Sequence, residues 1–280
     1  MGQVPDLPKD NSPGRSGTCP TMSKRTAAEQ FDRQASHYNA QWNKWSEASL
    51  NWLLDHAACS LEDRVLDVAT GTGFTALAFA ARVKEVVGLD VSEGMLAQAR
   101  ANAQREGITN VTFEKGAAEL LPFPEARFDK VTCRVAPHHF LSVERFCTEA
   151  YRVLKPGGKL LIADTGVPDG LTEVDAWQNG VEALRDTSHV RNYSLQEWRT
   201  LTTTAGFLVE ESEELEEEAQ MSLEEWMRKA GCVGEAAVQV RKMFEEAPAE
   251  ARRVFSIAAK PEGDFGFRWL RVVLSARKNV

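Results

Sequence analysis

The sequence predicts an α/β protein on a Rossmann-like sheet of seven strands, with a helical lid before the first strand and a helical insertion between the sixth and seventh. Three observations predict it. The stretch RVLDVATGTGFTA, from Arg64 to Ala76, passes from a short apolar run through Thr70-Gly71-Thr72-Gly73 into helical spacing at Phe74, Leu77 and Phe79. That is a buried strand, a tight turn and a helix. Asp67 and Asp90 stand at the ends of two successive strands, close to the ~20-residue spacing of one βαβ step. Five strands and four helices then alternate from Arg64 to Asp164.

The glycines of the turn permit backbone angles that a Cβ forbids and let a ligand approach the main chain. The turn also feeds a helix N-terminus with free N–H groups. Gly71-x-Gly73-x-x-Ala76 fits the loose nicotinamide pattern, which is weak by itself. Asp67 bears on the choice. A pyrophosphate beside it would meet a carboxylate, whereas an ammonium would be attracted. S-adenosylmethionine carries an ammonium and a sulfonium, so this arrangement favours it over NAD. A capping Asp on an ordinary βα turn is the alternative.

Taken in order, residues 1–23 are rich in Pro, Gly, Ser and Asp and are expected to be a disordered tail. Residues 24–60 read as a helical lid, with Phe31, Ala35 and Tyr38 at helical spacing and tryptophans Trp42, Trp45 and Trp52 following. Residues 61–165 read as the cofactor-binding core. Val86–Leu89 is its second strand, ending at Asp90, which can accept both ribose hydroxyls of an adenosine. Ser92 caps a helix to Glu106 whose Met95 packs either on an adenine face or in the core. Asn110–Glu114 is the third strand, and Leu121-Pro122-Phe123-Pro124 a rigid loop. Phe128–Cys133 begins the fourth strand, Val143–Leu154 is a helix stopped by Lys155-Pro156-Gly157-Gly158, and Lys159–Ala163 is the fifth strand.

Residues 166–280 read as the substrate-side half, in one domain with the rest of 24–280. Leu171–Leu184 is a helix and Asp186–Tyr193 an irregular polar loop. Ser194 caps the next helix, with Glu197 in the capping-box position. Gly206–Glu210 is the sixth strand, and the acidic run Glu210–Glu218 a solvated edge. Leu223–Ala230 and Glu235–Glu246 are helices, and Trp269–Ser275 is the seventh strand.

The 280 residues carry a formal net charge of −8 and no Lys/Arg-rich block, which argues against a nucleic-acid partner. No apolar run nears the ~18 residues that cross a bilayer, and the N-terminus has no apolar signal core. A soluble, cytoplasmic protein is expected. Five scattered cysteines without a C-x-x-C pair predict neither disulfides nor a metal site.

VLDVATGTG (Val65–Gly73), VVGLDVSEGML (Val86–Leu96), GAAELLPFP (Gly116–Pro124), FDKVTCR (Phe128–Arg134) and VLKPGG (Val153–Gly158) stand in this order and spacing. Together they resemble class I S-adenosylmethionine-dependent methyltransferases, in the branch of the ubiquinone/menaquinone C-methyltransferases and many small-molecule enzymes. Phe31-Asp32, Ala35 and Tyr38 resemble that family's lid more weakly. The resemblance implies S-adenosylmethionine as cofactor and S-adenosylhomocysteine as product. It implies that Asp67, Thr70, Gly71 and Gly73 hold the methionine end, that Asp90 and Val91 take the ribose, that Met95, Ala117 and Ala118 line the adenine, and that Arg134 offers backbone to the methionine portion. Ala69 replaces the first glycine of the family's turn, and Ala117 stands where many relatives have an Asp for the adenine amino group.

Methyl transfer needs alignment of the acceptor with the S–CH₃ bond and exclusion of water. An acceptor hydroxyl, amine or acidic carbon must also lose a proton. His138 and His139 follow the fourth strand, where the methyl is expected, and are the candidate bases, one facing the substrate and the other structural. His189 and Arg191 are candidates to close over the acceptor, Arg191 by clamping a carboxylate or phosphate, with Tyr38 and Trp42 as further contacts. The function expected is methylation of a small, partly apolar molecule at O, N or C, such as a secondary metabolite or quinone-like compound. The alternatives are a non-methylating reaction on the same fold, such as a cyclisation, and a non-catalytic S-adenosylmethionine-binding partner. The tryptophan-rich N-terminal helices suit a second subunit as well as the chain's own core, so a homodimer stays open.

Overall fold

The computed structural model describes residues 26–38, 47–216 and 220–280, with backbone alone for 33–38 and 216. The tail 1–23 and Trp42 lie outside these residues, as does the side chain of Tyr38. Strand β1 (Arg64–Val68) buries Val65, Leu66 and Val68 and pairs in parallel with β2 (Glu85–Asp90) on one side and β4 (Phe128–Arg134) on the other. Being covered on both faces, it needs the unbroken apolar run seen in the sequence. Strands β3 (Val111–Lys115) and β5 (Leu154–Val167) extend the parallel part. The last strand, β11 (Leu270–Lys278), inserts antiparallel between β5 and β7 (Phe207–Glu216), giving the order β3-β2-β1-β4-β5-β11-β7. The chain reverses its direction of travel between β1 and β4, and the crevice at that point is where α/β sheets bind ligands.

Helices α2 (Glu47–His56) and α3 (Phe74–Ala80) cover one face, packing Trp52, Leu53 and Phe79 on Val65, Val86 and Leu161. Helices α5 (Val143–Val153) and α7 (Leu195–Thr204) cover the other, with Phe146, Ala150 and Trp198 against Val131, Leu160 and Ile162. Helix α1 (Ala27–Tyr38) lies on α4 (Glu93–Glu106). Its Asp32 accepts from Ser92 Oγ at 2.5 Å and from the Gly94 N–H at 3.1 Å, occupying the donors that a helix N-terminus leaves open. Gln30 Nε2 donates to the Ala230 carbonyl at 3.0 Å, tying the same helix to the C-terminal part of the chain.

Several elements differ from the sequence expectation. Between Arg64 and Asp164 there are three α-helices and a short 3₁₀ turn at Pro137–His139, since no helix joins β3 to β4. Strand β5 runs on to Val167, so Asp164 lies inside it, paired with Val272. The acidic run continues strand β7 to Glu216. Pairing with the apolar β11 outweighs the low strand propensity of glutamate, and the edge position leaves carboxylates in reach of partners. Glu210 meets Lys159 at 2.9 Å and Arg277 at 2.7 Å, and Glu213 accepts from Trp52 Nε1 at 2.6 Å.

The insertion after β7 is not wholly helical. Helices α6 (Thr172–Arg185), α8 (Leu223–Ala230), α9 (Glu235–Glu245) and α10 (Ala249–Val254) share an aromatic core with a three-stranded sheet of β8 (Met221–Ser222), β10 (Phe265–Phe267) and β9 (Ala258–Ala259). Trp177, Trp226, Phe244 and Trp269 meet there largely edge to face. Strands of two or three residues carry no period readable in sequence. Strand β6 (Tyr193–Ser194) adds a short parallel bridge to the end of β5, and the Ser194–Glu197 capping box forms as expected.

Gly88 makes room beneath the glycine turn. A Cβ there would stand 2.7 Å from the Phe113 ring and 2.9 Å from Thr70 Cγ2. Gly88→Ala is therefore expected to lower the unfolding free energy by about 1–3 kcal/mol through overpacking, as urea denaturation would report.

Candidate functional site

A cavity of about 630 Å³ opens at the C-terminal ends of β1, β2 and β4, beneath α1. That volume suits a small-molecule site. Of the residues expected from sequence, Thr70, Gly71, Asp90, Val91, Met95, Ala117, Ala118, Arg134, His139 and His189 line it. Asp67, Gly73, His138 and Arg191 do not, although each lies within the described chain.

The turn after β1 alternates left-handed residues, Ala69 at φ 55°, Gly71 at φ 55° and Gly73 at φ 90°. Gly73 packs closely, since a Cβ on it would meet Ala99 and Phe113 at 3.2 and 3.3 Å, while nothing stands within 4 Å of one on Gly71. Asp67 explains how the turn is held. Its register partner on β4 is Thr132, whose hydroxyl donates to Asp67 Oδ1 at 2.8 Å, and Thr70 Oγ1 donates to Oδ2 at 2.6 Å. The side chain points into the sheet layer and is 1% exposed. Asp67 therefore shapes the turn from beneath and does not itself line the cavity. Burial drives its carboxyl up to about 6, against the two hydroxyl hydrogen bonds.

Asp90 is the carboxylate on the cavity wall. It accepts from the N–H of Gly71 at 2.8 Å and of Ser92 at 2.9 Å, so it joins the turn to the start of α4. Burial raises its pKa in spite of these bonds. Met95, on the first turn of α4, is 1% exposed and lines the same wall, so the two readings of it coincide. Arg134 Nε donates to Thr75 Oγ1 at 2.9 Å. The next residue, Val135, holds φ 54°, a conformation β-branched residues rarely adopt.

Beyond that bend two adjacent histidines stand with ring centroids 4.1 Å apart, each with its own partners. His138 faces inward, its N–H on Asp164 Oδ2 at 2.8 Å and its Nδ1 2.6 Å from Oδ1. Burial opposes its protonation, but the Asp164 charge and hydrogen bond prevail and raise its pKa. His139 opens on the cavity, edge-on to Phe31 at 4.9 Å, with Nδ1 3.1 Å from Ser188 Oγ. Burial and then the neighbouring His138 push it down to about 3. His189 is pushed to about 2, mainly by burial, and its Nε2 lies 3.0 Å from Asn179 Oδ1. That oxygen also accepts from the Asn192 N–H, so Nε2 carries the hydrogen.

Arg191 does not reach the cavity. Its guanidinium bonds Asp175 at 2.9 and 3.3 Å and Glu197 at 2.9 Å, closing the loop onto α6 and the capping box of α7. A clamp on a substrate carboxylate or phosphate is thereby replaced by an internal one. Phe31, Asp164, Asp186 and Ser188 were not singled out from sequence as site residues. The signal for the last two was present in the dense run of small polar residues following α6.

A family model described as a methyltransferase domain matches residues 65–158. The uncharacterized methyltransferase YcgJ of Bacillus subtilis is 34% identical over 233 residues, 83% of this chain and 91% of its own. The chain belongs to the class I S-adenosylmethionine-dependent methyltransferases. The crystal structure of YcgJ matches this methyltransferase with a TM-score of 0.79, over 84% of this chain and 99% of that one. A demethylmenaquinone methyltransferase of Symbiobacterium thermophilum is 34% identical over 169 residues, 56% of this chain and 66% of its own. The cyclase SpnF shares the fold alone, at a TM-score of 0.61 and 21% identity, covering 86% of this chain and 85% of its own. S-adenosylmethionine is the cofactor, and no described helix of the methyltransferase is long and apolar enough to cross a membrane.

Two predictions follow from the geometry. Asp67 binds its proton more tightly folded than unfolded, so its contribution to stability is full below about pH 4 and is lost as pH rises through 6. Asp67→Asn, which stays uncharged, should gain about 3 kcal/mol on the wild-type methyltransferase between pH 4 and pH 7, measured by urea unfolding across that range. Arg191→Gln should leave S-adenosylmethionine affinity unchanged in calorimetry and lower stability by less than about 1 kcal/mol, because its ion pairs are partly exposed.

Proposed function

We propose that this methyltransferase methylates an uncharged small molecule at O, N or C, with His139 accepting the acceptor's proton. One observation carries the reading: a single cavity runs from Asp90 to His139, with Phe31 of α1 over it. Within the resulting assignment, Thr70 and Gly71 border the methionine end, Asp90 and Val91 face the ribose, and Met95, Ala117 and Ala118 flank the adenine. Gly73 supports the turn from behind. Bound S-adenosylmethionine supplies a methyl carbon already activated by its sulfonium.

The acceptor end supports an uncharged, partly apolar substrate. Phe31, Phe140, Leu141 and Val190 line it together with His139 and His189, both neutral at physiological pH because burial holds their pKa values low. Among the charged wall residues, Arg134 is engaged by Thr75, and Asp90 and Glu119 are acidic. The Arg134 charge stands against these two acidic residues, so an anionic acceptor meets no net positive wall. A quinone-like or secondary-metabolite skeleton meets these conditions. The domain division at 24–60, 61–165 and 166–280 corresponds in this reading to lid, cofactor half and acceptor half.

Calorimetric titration with S-adenosylmethionine and S-adenosylhomocysteine is the first test. Saturable binding to both is expected, weakened about tenfold to a hundredfold in Asp90→Asn, where a charge-assisted hydrogen bond to the ribose is lost. A screen of uncharged hydroxyl, amine and acidic-carbon acceptors should then release S-adenosylhomocysteine. Conversion of a substrate without that release would favour a cyclisation-type reaction and sink methyl transfer.

A further inference from the structure

We propose that Ser188 and Asp186 are positioning residues that fix the tautomer of His139, presenting an unprotonated Nε2 to the acceptor. The inference deepens the methyl-transfer reading above and rests on it for the proton's origin.

The argument is a count of hydrogens. Asp186 is 4% exposed and, when ionised, only accepts. Its Oδ1 lies 2.7 Å from Ser188 Oγ and 2.9 Å from the Ser188 N–H. Ser188 Oγ has one hydrogen, and the carboxylate takes it. The same oxygen lies 3.1 Å from His139 Nδ1, so Nδ1 must bring the hydrogen of that bond. A neutral imidazole has a single N–H. Nε2 therefore carries the lone pair. The Ser188 backbone also engages the ring, and Nε2 is not among the buried polar atoms left without a partner.

His138 cannot serve the same purpose. It does not line the cavity, and its Nδ1 is closed on the buried Asp164. Its ring stands beside the His139 ring, at 4.1 Å between centroids, and opposes protonation there, while Asp164 favours it. The groups facing His139 are thus His138 and Asp164 from the sheet side and Asp186 and Ser188 from the loop.

The step balances as follows. The acceptor oxygen, nitrogen or carbon bonds to the methyl carbon, and the C–S electron pair stays on sulfur. The acceptor's proton passes to Nε2. The imidazolium so formed keeps Nδ1–H on Ser188, whose hydroxyl dipole points at the Asp186 carboxylate. A weak base suffices, because the acceptor's proton becomes strongly acidic as the new bond forms. The proton then returns to water when the site opens.

The test combines a spectroscopic and a kinetic readout on the full chain saturated with S-adenosylhomocysteine or turning over S-adenosylmethionine. Long-range ¹H–¹⁵N correlations of ¹⁵N-histidine-labelled protein report each ring's tautomer. His139 is expected as Nδ1–H in the wild type and in Ser188→Thr, which keeps the hydroxyl. Ser188→Ala and Asp186→Asn should populate the Nε2–H form. With an acceptor from the screen, both should lower kcat about tenfold to a hundredfold with the KM for S-adenosylmethionine unchanged, and Ser188→Thr should restore most of it. An Nε2–H ring in the wild type, or an unaltered kcat in both variants, overturns the proposal. Failure of the methyl-transfer reading looks different, since it leaves no acceptor methylated by the wild type while the tautomer is measured without turnover.

Discussion

Asp67 sits where β1, β4 and the glycine turn meet, and its two carboxylate oxygens accept from Thr132 and Thr70. A buried carboxylate is costly to desolvate, and these hydroxyls only partly offset it. The return is positional. The bond to Thr132 joins the central strands at the reversal point of the sheet, and the bond to Thr70 pins the first turn residue. The Gly71 N–H is then aimed at Asp90, and Asp90 in turn holds the start of α4. One buried acid thus orders a second one, and it is the second that reaches the cavity.

Two of the five left-handed non-glycine residues among those described stand on the same rim. Ala69 and Val135 both adopt left-handed backbone, which costs roughly 1–2 kcal/mol for a residue with a Cβ. They follow β1 and β4, the two strands that flank the reversal, and each bends the chain as it leaves the sheet. The bend at Val135 has a chemical consequence. Beyond it His138 and His139 stand with their rings 4.1 Å apart but with different partners, one paired with a buried aspartate and one lining the cavity. The loop carrying Ser188 is anchored to the same turn, because the His138 carbonyl accepts from the N–H groups of Val190 and Arg191.

Helix α1 and the loop after α6 line the cavity, through Phe31 and through Ser188, His189 and Val190. Asp32 and Gln30, two residues apart on α1, reach α4 and α8 respectively, so one short helix ties α4 to the C-terminal part of the chain. Phe31, between them, faces His139. The aromatic core of the insertion supports α6, from which Asn179 and Asp175 orient His189 and Arg191. The placing of these two side chains therefore depends on packing far from the cavity.

The succession of strands, the glycine turn and most cavity-lining residues near it were legible because each depends on local pattern: an apolar run, a glycine pair, a carboxylate ending a strand. Residues near in sequence stay near in space there. The sequence also determined that two adjacent histidines follow β4 and that a polar loop follows α6. Only the tertiary structure decided that Asp67 supports the turn from beneath, since that follows from its register with Thr132, a residue distant along the chain. Likewise, the partners of Arg191 come from α6 and from α7, and they convert an apparent anion clamp into a brace. Which histidine lines the cavity was decided by tertiary partners: His138 bonds Asp164 of β5, and His139 bonds Ser188, itself held by Asp186, from beyond α6. Long-range pairing of charges leaves no periodic trace in a sequence, because it depends on which side chains the sheet order brings within hydrogen-bonding reach.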